Sequence, residues 1–227
     1  MKILSSKPIL IKSIVLFFFI LCFTQVANAH VVVVDLEDMS TTDTVFLYLK
    51  LGFEHIIPLG IDHILFVLSL FLLNPKLKPI LTQATAFTVA HTVTLGLSMY
   101  QIINPPSAIV EPIIAISIVY VAMENILSPK LKPSRIGIVF LFGLIHGMGF
   151  ASVLGNLGLP KDSFLTSLLL FNLGVELGQI SIILLAYVLL GKFFGNKSYY
   201  RKYIVIPMSA LIVIIATYWT IQRIFFS

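Results

Sequence analysis

Thiols and charges are both scarce in this chain. Cys22 is the only cysteine among 227 residues, which excludes an internal disulfide framework and a thiolate metal cluster. Asp, Glu, Lys and Arg together make up 11% of the residues, where a soluble domain carries about 25%. There is too little polar side chain to cover a water-soluble globule, and hydrophobic residues reach 58%. Disorder, coiled coil and collagen are excluded by the same numbers. Mean hydropathy is +1.02, which leaves an all-α polytopic membrane protein. The net charge of +5 does not indicate nucleic acid, because the basic residues stand in short clusters between apolar runs, as membrane topology requires.

Residues 1–29 read as a cleaved secretory signal peptide. Lys2, Lys7 and Lys12 precede an apolar run from Ile14 to Phe23, and Ala27-Asn28-Ala29 supplies a small-x-small cleavage site. Leu21 before Cys22 argues against a lipoprotein anchor. Cleavage would remove the only thiol and leave 12 basic residues against 10 acidic. Residues 30–50 then form a short external leader with Asp35, Glu37, Asp38 and Asp43. Residues 51–227 carry six predicted transmembrane helices, near 56–73, 79–100, 109–127, 135–155, 164–190 and 203–225. Pro75, Pro79, Pro105, Pro106, Pro129, Pro133 and Pro160 punctuate the breaks. Three alternate loops are basic: Lys76 and Lys78; Lys130, Lys132 and Arg135; Lys192, Lys197, Arg201 and Lys202. The positive-inside rule makes these cytoplasmic and both mature termini external. Asn74-Pro-Lys-Leu-Lys-Pro79 and Ser128-Pro-Lys-Leu-Lys-Pro133 suggest a parallel repeat of two hairpins.

Ionisable residues inside a bilayer cost at least about 2.5 kcal/mol each at its centre, and they face the protein interior or a water-filled path. Asp62 and His63 lie on the first predicted helix, His91 on the second, His146 on the fourth and Glu176 on the fifth. At 1.5 Å per residue they stand roughly 15 to 22 Å from the basic ends of their helices, so they share one layer. None of these helices offers a Lys or Arg at that depth, which leaves the carboxylates in need of another partner. A divalent cation would supply it. Imidazole nitrogen with carboxylate oxygen suits Ni, Zn, Co or Cu(II). A metal-free hydrogen-bond network is the bland alternative. Asn172 and Gln179 share the face of Glu176. Glu54, His55 and Glu111 would form an outer mouth, and Glu124 an inner exit, although Glu111 also suits a helix N-terminus and Glu124 a contact with the adjacent basic loop. His30, first after cleavage, would chelate through its amine and imidazole. Gly143 and Gly147, then Gly174 and Gly178, form two GxxxG pairs that allow close helix approach.

Four blocks occur in order: His55-Ile-Ile-Pro-Leu-Gly-Ile-Asp62-His63, Phe87-Thr-Val-Ala-His91-Thr-Val-Thr-Leu95, Phe142-Gly-Leu-Ile-His146-Gly-Met-Gly-Phe-Ala151 and Phe171-Asn-Leu-Gly-Val-Glu176-Leu-Gly-Gln179. Together they resemble the HupE/UreJ family of hydrogenase and urease accessory membrane proteins. The resemblance spans about residues 50–190. It implies a secondary permease of the bacterial inner membrane for nickel or cobalt, with His55, Asp62, His63, His91, His146 and Glu176 handling the metal and a metalloenzyme maturation system as partner. Six residues separate His55 from Asp62, wider than the HxxxxDH signature of other nickel/cobalt transporters.

No Gly-x-x-x-x-Gly-Lys-Ser/Thr loop occurs, so transport would not be powered by this chain's own ATP hydrolysis. Asp62 and Glu176 would act both as ligands and as proton acceptors, coupling metal binding to proton release. Three other readings compete: an intramembrane zinc hydrolase with a carboxylate base, a bis-histidine haem module, and a non-transporting assembly factor for a metalloenzyme. The expectation is a metal carrier and not an enzyme.

Overall fold

The computed structural model describes residues 41–157 and 164–226. The expected signal peptide, Cys22, His30, the start of the acidic leader and residues 158–163 lie outside the described residues. Helices are α1 Thr41–Ile56, α2 Ile61–Leu73, α3 Leu77–Met99, α4 Ser107–Leu127, α5 Arg135–Leu157, α6 Phe164–Ala186 and α7 Ile206–Phe225. A π-helical turn, Tyr187–Gly191, and a short α turn, Lys192–Phe194, continue α6, and another π turn, Arg201–Val205, leads into α7. The described residues contain no strand.

Residues 41–50, read from sequence as external leader, instead form the greater part of α1, which packs along α6. Thr41 and Thr42 precede Asp43 in the first turn, where an acid complements the helix dipole. Gly174 faces Leu49 and Phe53, and one turn later Gly178 faces Ile56, so α1 and α6 run in the same direction. The Gly174–Gly178 pair thus finds its close neighbour in the helix that hydropathy alone had not marked.

The first expected span is broken. Pro58 lacks an amide hydrogen and disfavours helix at the residue before it, so α1 stops and α2 restarts after Gly60 at an angle of 68°. The Ile57–Pro58 peptide is cis. Leu59 and Gly60 amides donate to the Glu54 and Ile56 carbonyls at 3.1 and 3.2 Å, so the break keeps backbone groups paired inside an apolar medium. A side chain at Gly60 would strike the His55 carbonyl. Beyond the break α2 is buried continuously from Leu65 to Leu72 and forms the centre of the bundle.

Four helical stretches are long and apolar enough to cross a membrane: Leu77–Met99, Ser107–Leu127, Phe164–Phe194 and Arg201–Phe225. The bent α1–α2 pair makes a fifth, while the apolar stretch Arg135–Phe150 of α5 is shorter than a span. This differs from six continuous spans, because one is split and one is short. Exposed Leu169, Leu173 and Leu177 on α6, with Val89 and Val93 on α3, form apolar stripes that suit a lipid surroundings.

The helices pack mainly in three pairs, α3 with α5, α1 with α6, and α4 with α7. Gly143 lies against Phe87 and Gly147 against His91, so α3 and α5 are parallel, and α2 packs on α4 beside them. The two Pro-Lys-Leu-Lys-Pro turns therefore begin helices that share direction and contact each other. The three basic loops gather at one end. There Arg135, 1% exposed, donates to Glu124 at 3.0 Å and to Asn125 Oδ1 at 3.1 Å. Arg201 donates to the Asn125, Ile126 and Ser128 carbonyls, which close the C-terminus of α4.

Candidate metal site

The break in the first span brings two histidines together. His55 ends α1 and His63 starts the buried run of α2. Their ring centroids are 4.7 Å apart. His91 comes from α3, 6.0 Å from each of them. His55, His63 and His91 each offer one ring nitrogen, and these atoms lie within 4.8 Å of one another. The three Nε2 atoms are buried and make no hydrogen bond among the described residues. The negative end of the α1 dipole also points here, which favours positive charge.

Neighbouring side chains fix the tautomers. His91 Nδ1 donates to Asn172 Oδ1 at 2.9 Å, and Asn172 Nδ2 donates to the Leu168 carbonyl. The amide oxygen therefore faces His91, the ring proton stays on Nδ1, and the Nε2 lone pair is free to bind. His146 lies beside the trio, 5.0 Å from His63 between ring centroids. Ser117 donates its hydroxyl proton to the Ile114 carbonyl at 2.6 Å, leaving its oxygen to accept from His146 Nε2 at 3.0 Å. That places the lone pair of His146 on Nδ1, which is buried without a partner among the described residues.

The walls are aromatic. Phe150 is 3.9 Å from His55, and Phe171 is 5.6 Å from it. Phe87 is 5.8 Å from His63, and Phe66 is 5.3 Å from His146. Neutral nitrogens in such surroundings suit a borderline transition-metal ion better than Ca or Mg, which seek oxygen. Nitrogens bound tetrahedrally at 2.0–2.1 Å would sit about 3.3 Å apart, so the trio is more open than a closed structural zinc shell.

The two carboxylates expected in this site are elsewhere. Asp62 pairs with Arg223 of α7 at 2.8 Å, and Glu111 pairs with the same guanidinium at 3.5 Å. The countercharge comes from a helix that carries none of the site histidines, and Arg223 also lies over Trp219. Glu176 accepts hydrogen bonds from Thr85, at 2.7 Å, and Thr88. These hydroxyls supply the partners that a half-buried carboxylate needs. Glu124 is bound to Arg135 and not aimed along an inner path. Glu54 lies at the surface, 3.8 Å from Lys50. Asn172 belongs to the site through His91, and Gln179 is buried with both amide atoms unpartnered among the described residues. Ser117, Thr85 and Thr88 had no assigned role at the site, though threonines at 85, 88 and 92 already mark a polar stripe on α3.

The fold and site together define a polytopic membrane protein whose first span is interrupted around a buried group of imidazoles. The model of a protein family described as HupE / UreJ protein matches residues 27–223, and the chain belongs to that family. No curated protein and no solved structure matches it.

Proposed function

We propose that this chain is a permease for a divalent transition metal and that nickel, which its family relationship favours, is the cargo. The observation that carries the reading is the convergence of three buried, unpartnered imidazole nitrogens on a break in a membrane helix. Interrupted helices with a site near the middle of the bilayer are a recurrent architecture of secondary transporters. His55, His63 and His91 would bind the ion, His146 would stand next along its route, and Asn172 would orient His91. The basic end would face the cytoplasm by the positive-inside rule.

A hydrolase would need a general base beside the metal. Asp62 is engaged by Arg223, Glu176 by two threonines, and Glu54, next to His55, lies at the surface near Lys50. This favours carriage over hydrolysis. The same engagement moves proton coupling away from direct ligation by Asp62 or Glu176.

Uptake of radiolabelled nickel by proteoliposomes holding the purified chain tests the proposal. Saturable accumulation is expected. Tight binding without accumulation would point to a non-transporting assembly factor, and the absence of both would overturn the metal reading.

A further inference from the structure

A cavity of about 630 Å³ opens at the basic end of the bundle, remote from the histidines. It is lined by Lys76 before α3, Lys192 and Lys197 after the π turn of α6, and Arg201 at the approach to α7. Asn74 and Asn196 add amides, and no carboxylate lines it. Among the described residues none of the four cations is paired with an acid. Arg201 spends its donors on backbone carbonyls, which leaves its charge unneutralised.

Tyr200 gives the cavity a built feature. It lines the wall, is only 6% exposed, and its hydroxyl is buried with no hydrogen-bond partner among the described residues. Burial pushes the phenol above its ordinary range, so it remains a neutral donor. An unsatisfied donor in a ring of uncompensated cations is matched by an anion with several acceptor oxygens. Lysines that merely set topology would need neither the cavity nor the orphaned phenol.

We propose that this cavity binds a phosphate group, presented by the headgroup of an anionic phospholipid in the adjoining leaflet. Basic pockets between membrane helices commonly take such headgroups. Tyr200 would turn its buried hydroxyl toward the cavity and donate to a phosphate oxygen, Lys76, Lys192 and Lys197 would supply charge, and the three loops would be tied together by the bound lipid.

The purified full-length protein in an uncharged detergent provides the test, read as the thermal midpoint. Added phosphatidylglycerol should raise the midpoint by several degrees, and phosphatidylcholine should not. In a Lys76→Gln, Lys192→Gln, Lys197→Gln variant, the concentration for half effect should rise on the order of 10-fold or more. All three side chains are exposed, so the substitutions are compatible with folding. Tyr200→Phe should weaken the response with no change of charge. A control, Lys78→Gln, Lys130→Gln, Lys202→Gln, loses the same charge outside the cavity and should respond as wild type does. If inorganic phosphate alone reproduces the shift, and the first triple variant abolishes it, the phosphate site stands with a soluble ligand as its source. Equal loss in both triple variants, or no wild-type response to lipid or phosphate, would overturn the proposal.

Discussion

His63→Phe should abolish nickel uptake and strip bound metal from a protein that still folds. His63 is the ring that links the others, 4.7 Å from His55, 6.0 Å from His91 and 5.0 Å from His146 between centroids. Phenylalanine keeps a flat, somewhat larger ring against Phe87 and removes both nitrogens. Two imidazoles of the trio would remain. Loss of an outer partner of a metal ligand typically costs 10–100-fold in affinity. Asn172→Leu, which removes the acceptor for His91 Nδ1, should fall in that range. Loss of a ligand should exceed it, by more than about 100-fold. Glu54→Gln, at an exposed ion pair, should change neither quantity. Equilibrium dialysis with nickel beside transport assays would rank the three variants. Wild-type binding by both His63→Phe and Asn172→Leu would show that these histidines are not ligands.

Gly143→Val should destroy the bundle together with the site. A Cβ at Gly143 would press on the Phe87 carbonyl and the Ala90 methyl, and one at Gly147 on the His91 carbonyl and Thr94. These contacts are largely backbone, so no rotamer change relieves them. Overpacking usually costs about 1–3 kcal/mol, and a helix pair forced apart along its contact line belongs at or above the top of that range. The same displacement would carry His91 on α3 away from His146 on α5. Gly137 gives the contrast, since a Cβ there meets nothing within 4 Å. Gly137→Ala should melt at or slightly above the wild-type temperature because alanine is the better helix former. Gly143→Ala should already melt lower, and Gly143→Val should lose its monodisperse peak in detergent. Equal midpoints for Gly137→Ala and Gly143→Ala would contradict the close α3–α5 contact.

His63, His91 and His146 at one depth were legible because a buried imidazole is rare in an apolar run and helix rise converts residue number into depth, whereas His55 read as part of an outer mouth. The GxxxG pairs were legible for a similar reason, since small residues mark close approach in lipid. The carboxylates misled because sequence shows that a charge needs a partner but not which one. Arg223 lies 161 residues from Asp62, and only tertiary packing joins them. Threonine hydroxyls satisfy Glu176 without any countercharge, and Thr85 and Thr88 stand out only as mildly polar positions on α3. The α1 helix escaped notice because Asp43, Lys50 and Glu54 lower its hydropathy, while its small and aromatic positions, Gly52 and Tyr48, face the bundle. The break at Pro58 and Gly60 was written in the sequence, yet its consequence required the fold: it turns His55 back toward His63.

X-ray absorption at the nickel edge of the loaded, purified protein tests the shared imidazole site most directly. A nitrogen-rich shell with the multiple-scattering pattern of about three imidazoles is expected, and His63→Phe taken through the same loading should lose that pattern together with the metal. A shell of oxygen ligands without imidazole scattering, unchanged by that substitution, would contradict it.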